Sequence, residues 1–150
     1  MKDYDIVVII TAIIDLEGNI MPQRGDSYQV KLKETHLNWG TYRNPTNRDP
    51  VEGEGYIKIP REYAIRYSIY NSPEGFGSNL FTVSSRDGFL HNEVLRAQGN
   101  SGAGDTYAKQ FAIDKDLRRI GAWYRSQNAQ VGDIVQVTWQ SPTEILVEIL

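Results

Sequence analysis

The chain has 150 residues, of which 40% are hydrophobic and 23% charged, and its formal net charge is −3. This length suits one domain with a sizeable core, and the composition excludes a disordered tail or a fibrous repeat. The sequence contains no cysteine, which excludes disulfides and thiolate metal sites. Its two histidines, His36 and His91, lie far apart with no obvious third ligand. We therefore expect a single domain over residues 1–150, without metal or cofactor.

The first apolar run, Ile6–Ile14, is rich in β-branched residues and too short to span a bilayer. The residues before it include Asp3 and Asp5, whereas a secretory signal begins with positive charge. We predict a buried strand over Asp5–Ile14, and we expect a cytoplasmic protein with no membrane association. Residues 1–26 then form an N-terminal strand extension whose role the sequence leaves open.

Short apolar runs rich in Ile, Val, Tyr and Thr recur along the rest of the chain, separated by clusters of Gly, Asn, Asp and Pro. This pattern predicts a mainly β domain. The Asp87-Gly88 pair between two such runs predicts a hairpin turn. Beyond the first strand, the predicted strands are Ser27–Asn38, Gly55–Ile59, Leu80–Ser85, Phe89–Ala97, Tyr107–Ile113, Ile134–Thr138 and Glu144–Ile149.

Two segments have the spacing of short helices. Pro60–Tyr67 opens with a proline, which suits the first helical turn. Asp114–Ser126 starts with a residue that favours the N-cap and carries an apolar face. Trp123 on that face and Trp139 at the end of a strand are predicted to pack in the core.

Two polar segments fit neither pattern. Gly40–Glu54, with the sequence GTYRNPTNRDPVEGE, contains two prolines, and Gln98–Asp105, with the sequence QGNSGAGD, is rich in glycine. Long connections without regular structure are uncommon in compact domains and are usually functional or disordered. The glycine-rich segment lacks the Lys-Ser/Thr pair of a nucleotide-binding P-loop. These segments are the first candidates for ligand contact.

The segment Gly55–Ala64, GYIKIPREYA, resembles the strand-then-helix signature of the DNA-binding pseudobarrel family. Asp116–Val137, DLRRIGAWYRSQNAQVGDIVQV, resembles the second helix of that family and the Val-Gly-Asp turn into the next strand. The family includes plant B-three-type transcription factor domains and effector or recognition domains of restriction endonucleases. The resemblance implies a mainly β, open pseudobarrel of seven to eight strands with two short helices. It also implies a role in restriction-modification or regulation in a bacterium or phage.

In that family two arms grip the major groove of double-stranded DNA. The resemblance places the first arm at Asn38–Glu54 and the second arm at Arg96–Lys109, which contain the two unusual polar segments. Arginine suits guanine and Asn or Gln suits adenine, while Asp49, Glu52 and Glu54 restrict the contacts of the first arm to Asn38–Arg48. The predicted DNA contacts are Trp39, Arg43, Asn44, Asn47, Arg48, Arg96, Gln98, Asn100, Ser101 and Lys109.

The partner implied is double-stranded DNA, including DNA with a modified base, together with a separate nuclease or regulatory subunit if the chain acts in a larger system. A net charge of −3 opposes indiscriminate coating of nucleic acid, but a specific reader needs only a locally positive surface. Two alternatives stay open. The same barrel can bind a protein or small ligand, or the chain can be a small metal-dependent hydrolase using Asp15 and Glu17. No lysine follows that acidic pair, so we expect no catalysis.

Overall fold

The computed structural model describes residues 22–38, 52–99 and 104–150. Within these ranges the protein is mainly β, with seven strands and three short helices. The strands are β1 (Ser27–Lys31), β2 (Ile57–Lys58), β3 (Leu80–Ser85), β4 (Glu93–Gln98), β5 (Gln110–Ile113), β6 (Ile134–Ser141) and β7 (Glu144–Ile149). The helices are α1 (Glu34–Leu37), α2 (Arg61–Arg66) and α3 (Arg119–Ser126).

All seven strands belong to one mixed sheet in the order β1-β6-β7-β3-β4-β5-β2. Neighbours are antiparallel except β3 and β7, which are parallel. The terminal strands β1 and β2 share no ladder, but the Tyr28 hydroxyl on β1 donates to the Lys58 carbonyl on β2 at 3.0 Å. The sheet therefore curls until its two edges meet through a side chain. The predicted fold class, a mainly β open pseudobarrel, is confirmed.

Tyrosine hydroxyls satisfy further backbone groups near this seam. Tyr67, which follows α2, donates to the Ser27 carbonyl at 2.7 Å, and Tyr124 of α3 donates to the Tyr56 carbonyl at 2.7 Å. An unpaired edge carbonyl is costly when buried, and an exposed edge invites pairing with another chain. The hydroxyls thus replace the ladder that a closed barrel would have.

Removing the Tyr28 hydroxyl should weaken this seam. Tyr28→Phe leaves the Lys58 carbonyl without its partner, so we expect a loss of about 1 kcal/mol in the free energy of unfolding at pH 7. Burial also raises the pKa of Tyr28 well above the ordinary 10.0. The unfolded chain therefore releases this proton first as the pH rises, and stability falls above pH 10. Urea titrations at pH 7 and pH 10.5 should show a smaller alkaline loss in the variant than in the wild type.

The core lies inside the curled sheet and is lined by alternate residues of the strands. On β3 the buried positions are Phe81, Val83 and Ser85. Phe81 meets Trp139 edge-on with ring centroids 5.9 Å apart, and Trp123 is fully buried with its indole N–H donating to Asp87 at 2.8 Å. The prediction that Trp123 and Trp139 pack in the core is confirmed.

Strands β3 and β7 have the predicted bounds, whereas the other predicted strands and helices within the described residues differ at one or both ends. The strand predicted over Ser27–Asn38 ends at Lys31, because Leu32 makes the last backbone bonds toward β6 and the chain then turns into α1. Helix α1 was not predicted. The helix predicted from Asp114 begins at Arg119, since the Asp114 amide bonds the Val94 carbonyl and its carboxylate binds Arg96.

The predicted turn at Asp87-Gly88 is present, with Gly88 at φ +88° and its amide donating to the Ser85 carbonyl. It is part of a longer connection, however, and β4 begins at Glu93 instead of Phe89. The predicted strand Asp5–Ile14 lies outside the described residues.

Candidate nucleic-acid interface

The two arms are attached to one pair of adjacent strands. The first arm leads into β2 and the second arm leads into β5. These strands pair antiparallel, with Ile57 opposite Phe111 and Lys58 opposite Gln110. Each arm therefore joins the pair where its own strand starts, and these two points of attachment lie at opposite ends of the pair.

A row of polar side chains crosses the sheet between the two points of attachment. Lys58 on β2, Gln110 on β5 and Gln98 on β4 are direct cross-strand neighbours, so all three lie on the same face. The residues that alternate with them, such as Ile57 and Phe111, are fully buried in the core. The row is half-buried and lies on the opposite face, which we call the outer face.

Lys58 of this row forms a positive group with two further lysines, Lys33 and Lys109. Burial lowers the pKa of Lys58, and the nearby charges of Lys109 and Lys33 lower it further. Lys109 forms an ion pair with Asp105 at 3.0 Å, but within the described ranges no ion pair neutralises Lys33 or Lys58. Like charges held together, two of them without an ion-pair partner among the described residues, favour an anionic ligand.

Buried His36 lies next to the same group. Burial, followed by the charges of Lys33 and Lys58, lowers its pKa from 6.5 to about 4. Its Nδ1 accepts the Lys33 amide at 3.2 Å, and its ring meets Tyr56 edge-on. The imidazole is therefore neutral near pH 7, and α1 is held in place without adding charge.

This environment predicts acid sensitivity. The unfolded chain binds a proton at His36 below pH 6.5 while the folded chain does not until about pH 4, so stability falls across that interval. We expect His36→Asn, whose side-chain oxygen can still accept the Lys33 amide, to lose roughly 3 kcal/mol less than the wild type between pH 7 and pH 4. Urea titrations at the two pH values measure this. Equal acid losses in both proteins would contradict it.

The base of the second arm is fixed by one amide side chain, that of Asn71. Its oxygen accepts the Gly99 amide at 2.9 Å and its nitrogen donates to the Asp105 carbonyl at 3.4 Å. Beside it the rings of Tyr70 and Tyr107 stack at 5.5 Å. Asn71 thus ties together the two chain segments that lead into and out of the arm. Nothing in the sequence around Asn71 predicted this role.

The base of the first arm passes close to α3. A methyl group on Gly55 would lie 2.9 Å from the Gly121 Cα, and one on Gly121 would overlap the Gly53 carbonyl oxygen. Gly53 itself has φ +86°, which favours glycine. The backbone at residues 53–55 can pass this close to α3 only because both sides of the contact are glycine.

Arg96 is already paired within the fold. Its guanidinium binds Asp114 at 2.8 Å and also binds Glu74. Arg119 is likewise paired with Glu93, at 2.9 Å. Much of the positive charge that the sequence shows around the second arm is therefore compensated internally. The geometry gives Arg96 a role in holding β4 to its neighbours.

The structure places only some of the predicted contact residues. Arg96, Gln98 and Lys109 are described, with Gln98 in the polar row and Lys109 in the lysine group. The other seven lie outside the described residues: Trp39, Arg43, Asn44, Asn47, Arg48, Asn100 and Ser101.

Sequence reasoning missed Lys33, Lys58 and Gln110. For Lys58 and Gln110 a signal existed, because each alternates with core residues in a predicted strand. The pairing of those two strands could not be inferred. Asp15 and Glu17, the acidic pair of the hydrolase alternative, lie outside the described residues. Within the described ranges no cluster of three or more His, Asp or Glu side chains suits a metal ion, and no helix is long and apolar enough to cross a membrane.

No protein-family model matches this chain, and no curated protein matches it. Among solved structures it is similar to the N-terminal domain of Helicobacter pylori LlaJI.R1, at 11% sequence identity. The match covers 83% of this chain and 87% of that one, with a TM-score of 0.47.

Proposed function

We propose that this chain is a sequence-specific binding domain for double-stranded DNA that grips the major groove with its two arms and acts in restriction or regulation. The proposal assigns it a binding role without catalysis. One observation carries the proposal. The two arms join the β2–β5 pair at its opposite ends, and beside this pair lie the polar row and Lys33, where neither Lys33 nor Lys58 has a carboxylate partner among the described residues.

The spacing of the arms suits a duplex. The first arm ends at Glu54, and the Lys109 carbonyl at the end of the second arm accepts the Ile59 amide. Five residues of chain separate these points, so they lie at most about 18 Å apart. This is of the same order as the major-groove width of about 12 Å, so side chains leaning inward from both arms can enter one groove.

The chemistry divides between two kinds of contact. Lys33, Lys58 and Lys109 attract phosphates, which fixes position and supplies affinity that does not depend on sequence. Gln98 and Gln110 can each pair with an adenine edge through two hydrogen bonds, and the amide and guanidinium groups of the arms extend this recognition. Arg96 supports the site from its ion pairs with Asp114 and Glu74. The resemblance of Gly55–Ala64 to the pseudobarrel signature agrees with this assignment.

Selection from a random duplex library tests the proposal. At moderate salt the wild-type protein should enrich one motif, and its affinity for that motif should fall steeply as salt rises. Repeating the selection with cytosine methylated or hydroxymethylated tests sensitivity to a modified base. A library with no enriched motif would exclude sequence-specific recognition. Binding to a protein or small ligand that is insensitive to salt, with no duplex bound, would favour the alternative module.

A further inference from the structure

The connection between α2 and β3 presents an exposed aromatic ring on a fixed backbone. Phe76 is 53% exposed at the tip of this segment, residues 71–79. The Gly75 amide donates to the Asn79 side chain at 3.0 Å, and the Gly77 amide donates to the Leu80 carbonyl at 2.9 Å. The Ser78 hydroxyl donates to the Pro73 carbonyl at 3.1 Å. The ring is therefore held out toward solvent by a segment with many internal bonds.

This segment borders the candidate interface. Asn71 at its start fixes the base of the second arm, and Glu74 binds Arg96 on the outer face of β4. Phe76 forms a parallel bridge with Leu80, which lies directly opposite Arg96 in the sheet. Phe76 therefore lies beside the first residue of β3, the central strand of the sheet. Lys58 lies three strands away, on the edge strand β2.

We infer that Phe76 is a wedge that inserts at a base step at one end of the bound duplex and stacks on a nucleobase there. The inference rests on the proposed function. Apolar side chains insert in this way in proteins that bind the minor groove, and they partly unstack the step they enter. Flanking Glu74, Asn71 and Ser78 are polar, so the exposed apolar area is the Phe76 ring and Pro73. A protein partner would need roughly 800 Å² on each side, whereas one ring matches one base.

Site-specific fluorescence tests this wedge. 2-Aminopurine, whose emission rises when it unstacks, is placed in turn at each position of the duplex that the wild-type protein enriches. We expect an increase at one end of the site on binding the wild type, and no increase with Phe76→Ala. The affinity of Phe76→Ala should fall about tenfold. Phe76→Trp should retain both the affinity and the fluorescence change.

Leu150→Ala is the matched control, because Leu150 is 59% exposed and follows the last strand. Its duplex affinity should equal that of the wild type. Thermal unfolding of Phe76→Ala should match the wild type, since the ring packs little within the fold. Wild-type affinity and fluorescence in Phe76→Ala would overturn the wedge while leaving DNA binding intact. Failure of the wild type to bind any duplex would overturn both.

Discussion

Replacing Lys33 and Lys58 together by glutamine should lower duplex affinity about 100-fold at moderate salt, and by the same factor for every sequence. Burial and then the charges of Lys109 and Lys33 lower the pKa of Lys58, and neither Lys33 nor Lys58 has an ion-pair partner among the described residues. Each phosphate contact adds about one unit to the slope of log affinity against log salt. The double variant should therefore lose about two units of slope and keep the enriched motif.

Lys115→Gln provides the control for this prediction. Lys115 is an exposed cation in the turn after β5, at φ +64°. Its replacement by glutamine removes one positive charge, as each of the substitutions at Lys33 and Lys58 does. Titrations of a labelled duplex at several salt concentrations should give the wild-type slope for this variant. An unchanged slope in Lys33→Gln/Lys58→Gln would show that the lysine group does not contact phosphates.

Gly121→Ala should destabilise the fold by about 2 kcal/mol or more, although alanine is the better helix former. Intrinsic propensity alone favours alanine within α3 by about 1 kcal/mol. The added methyl group, however, would overlap the Gly53 carbonyl oxygen, which belongs to backbone and cannot rotate away as a side chain can. Overpacking of this kind costs about 1–3 kcal/mol and sometimes more. The chain leaving the first arm would have to move.

Whether Gly121→Ala lowers or raises the free energy of unfolding decides between overpacking and helix propensity. Urea unfolding of Gly121→Ala should show a lower midpoint at unchanged slope, and duplex affinity should fall because the base of the first arm is displaced. Gly75→Ala, where an added methyl group meets nothing within 4 Å, should shift the stability by less than about 0.5 kcal/mol. An increase in stability for Gly121→Ala would contradict the close approach of Gly53 and α3.

Local patterns in the sequence predicted much of the fold. Alternation fixed the bounds of β3 and β7, because each strand has one face in the core and a slip of one residue would expose it. The strand predicted over Ser27–Asn38 was too long, because the Lys33 amide donates to the His36 side chain. This bond forms only once the chain has turned into α1, so the local pattern does not predict it. Asp114 has the chemistry of an N-cap, but it binds Arg96 from a neighbouring strand instead.

The site was less predictable than the fold for a physical reason. Composition singled out the two arms, but the surface between them depends on which strands pair. Lys58 and Gln110 become neighbours only through the β2–β5 ladder, whose register is set by contacts between distant parts of the chain. Compensation of charge is equally non-local. Arg96 resembles a free cation in the sequence, and only the fold brings Glu74 and Asp114 to it.

Lysine footprinting of the wild-type protein tests the central claim most directly. Acetylation with and without the enriched duplex, measured by mass spectrometry, reports which ammonium groups the DNA covers. Bound duplex should protect Lys33, Lys58 and Lys109 strongly and leave Lys31, on β1 beside β6, and Lys115 reactive. Equal protection of all five lysines, or protection that spares Lys58, would contradict recognition on the face between the two arms.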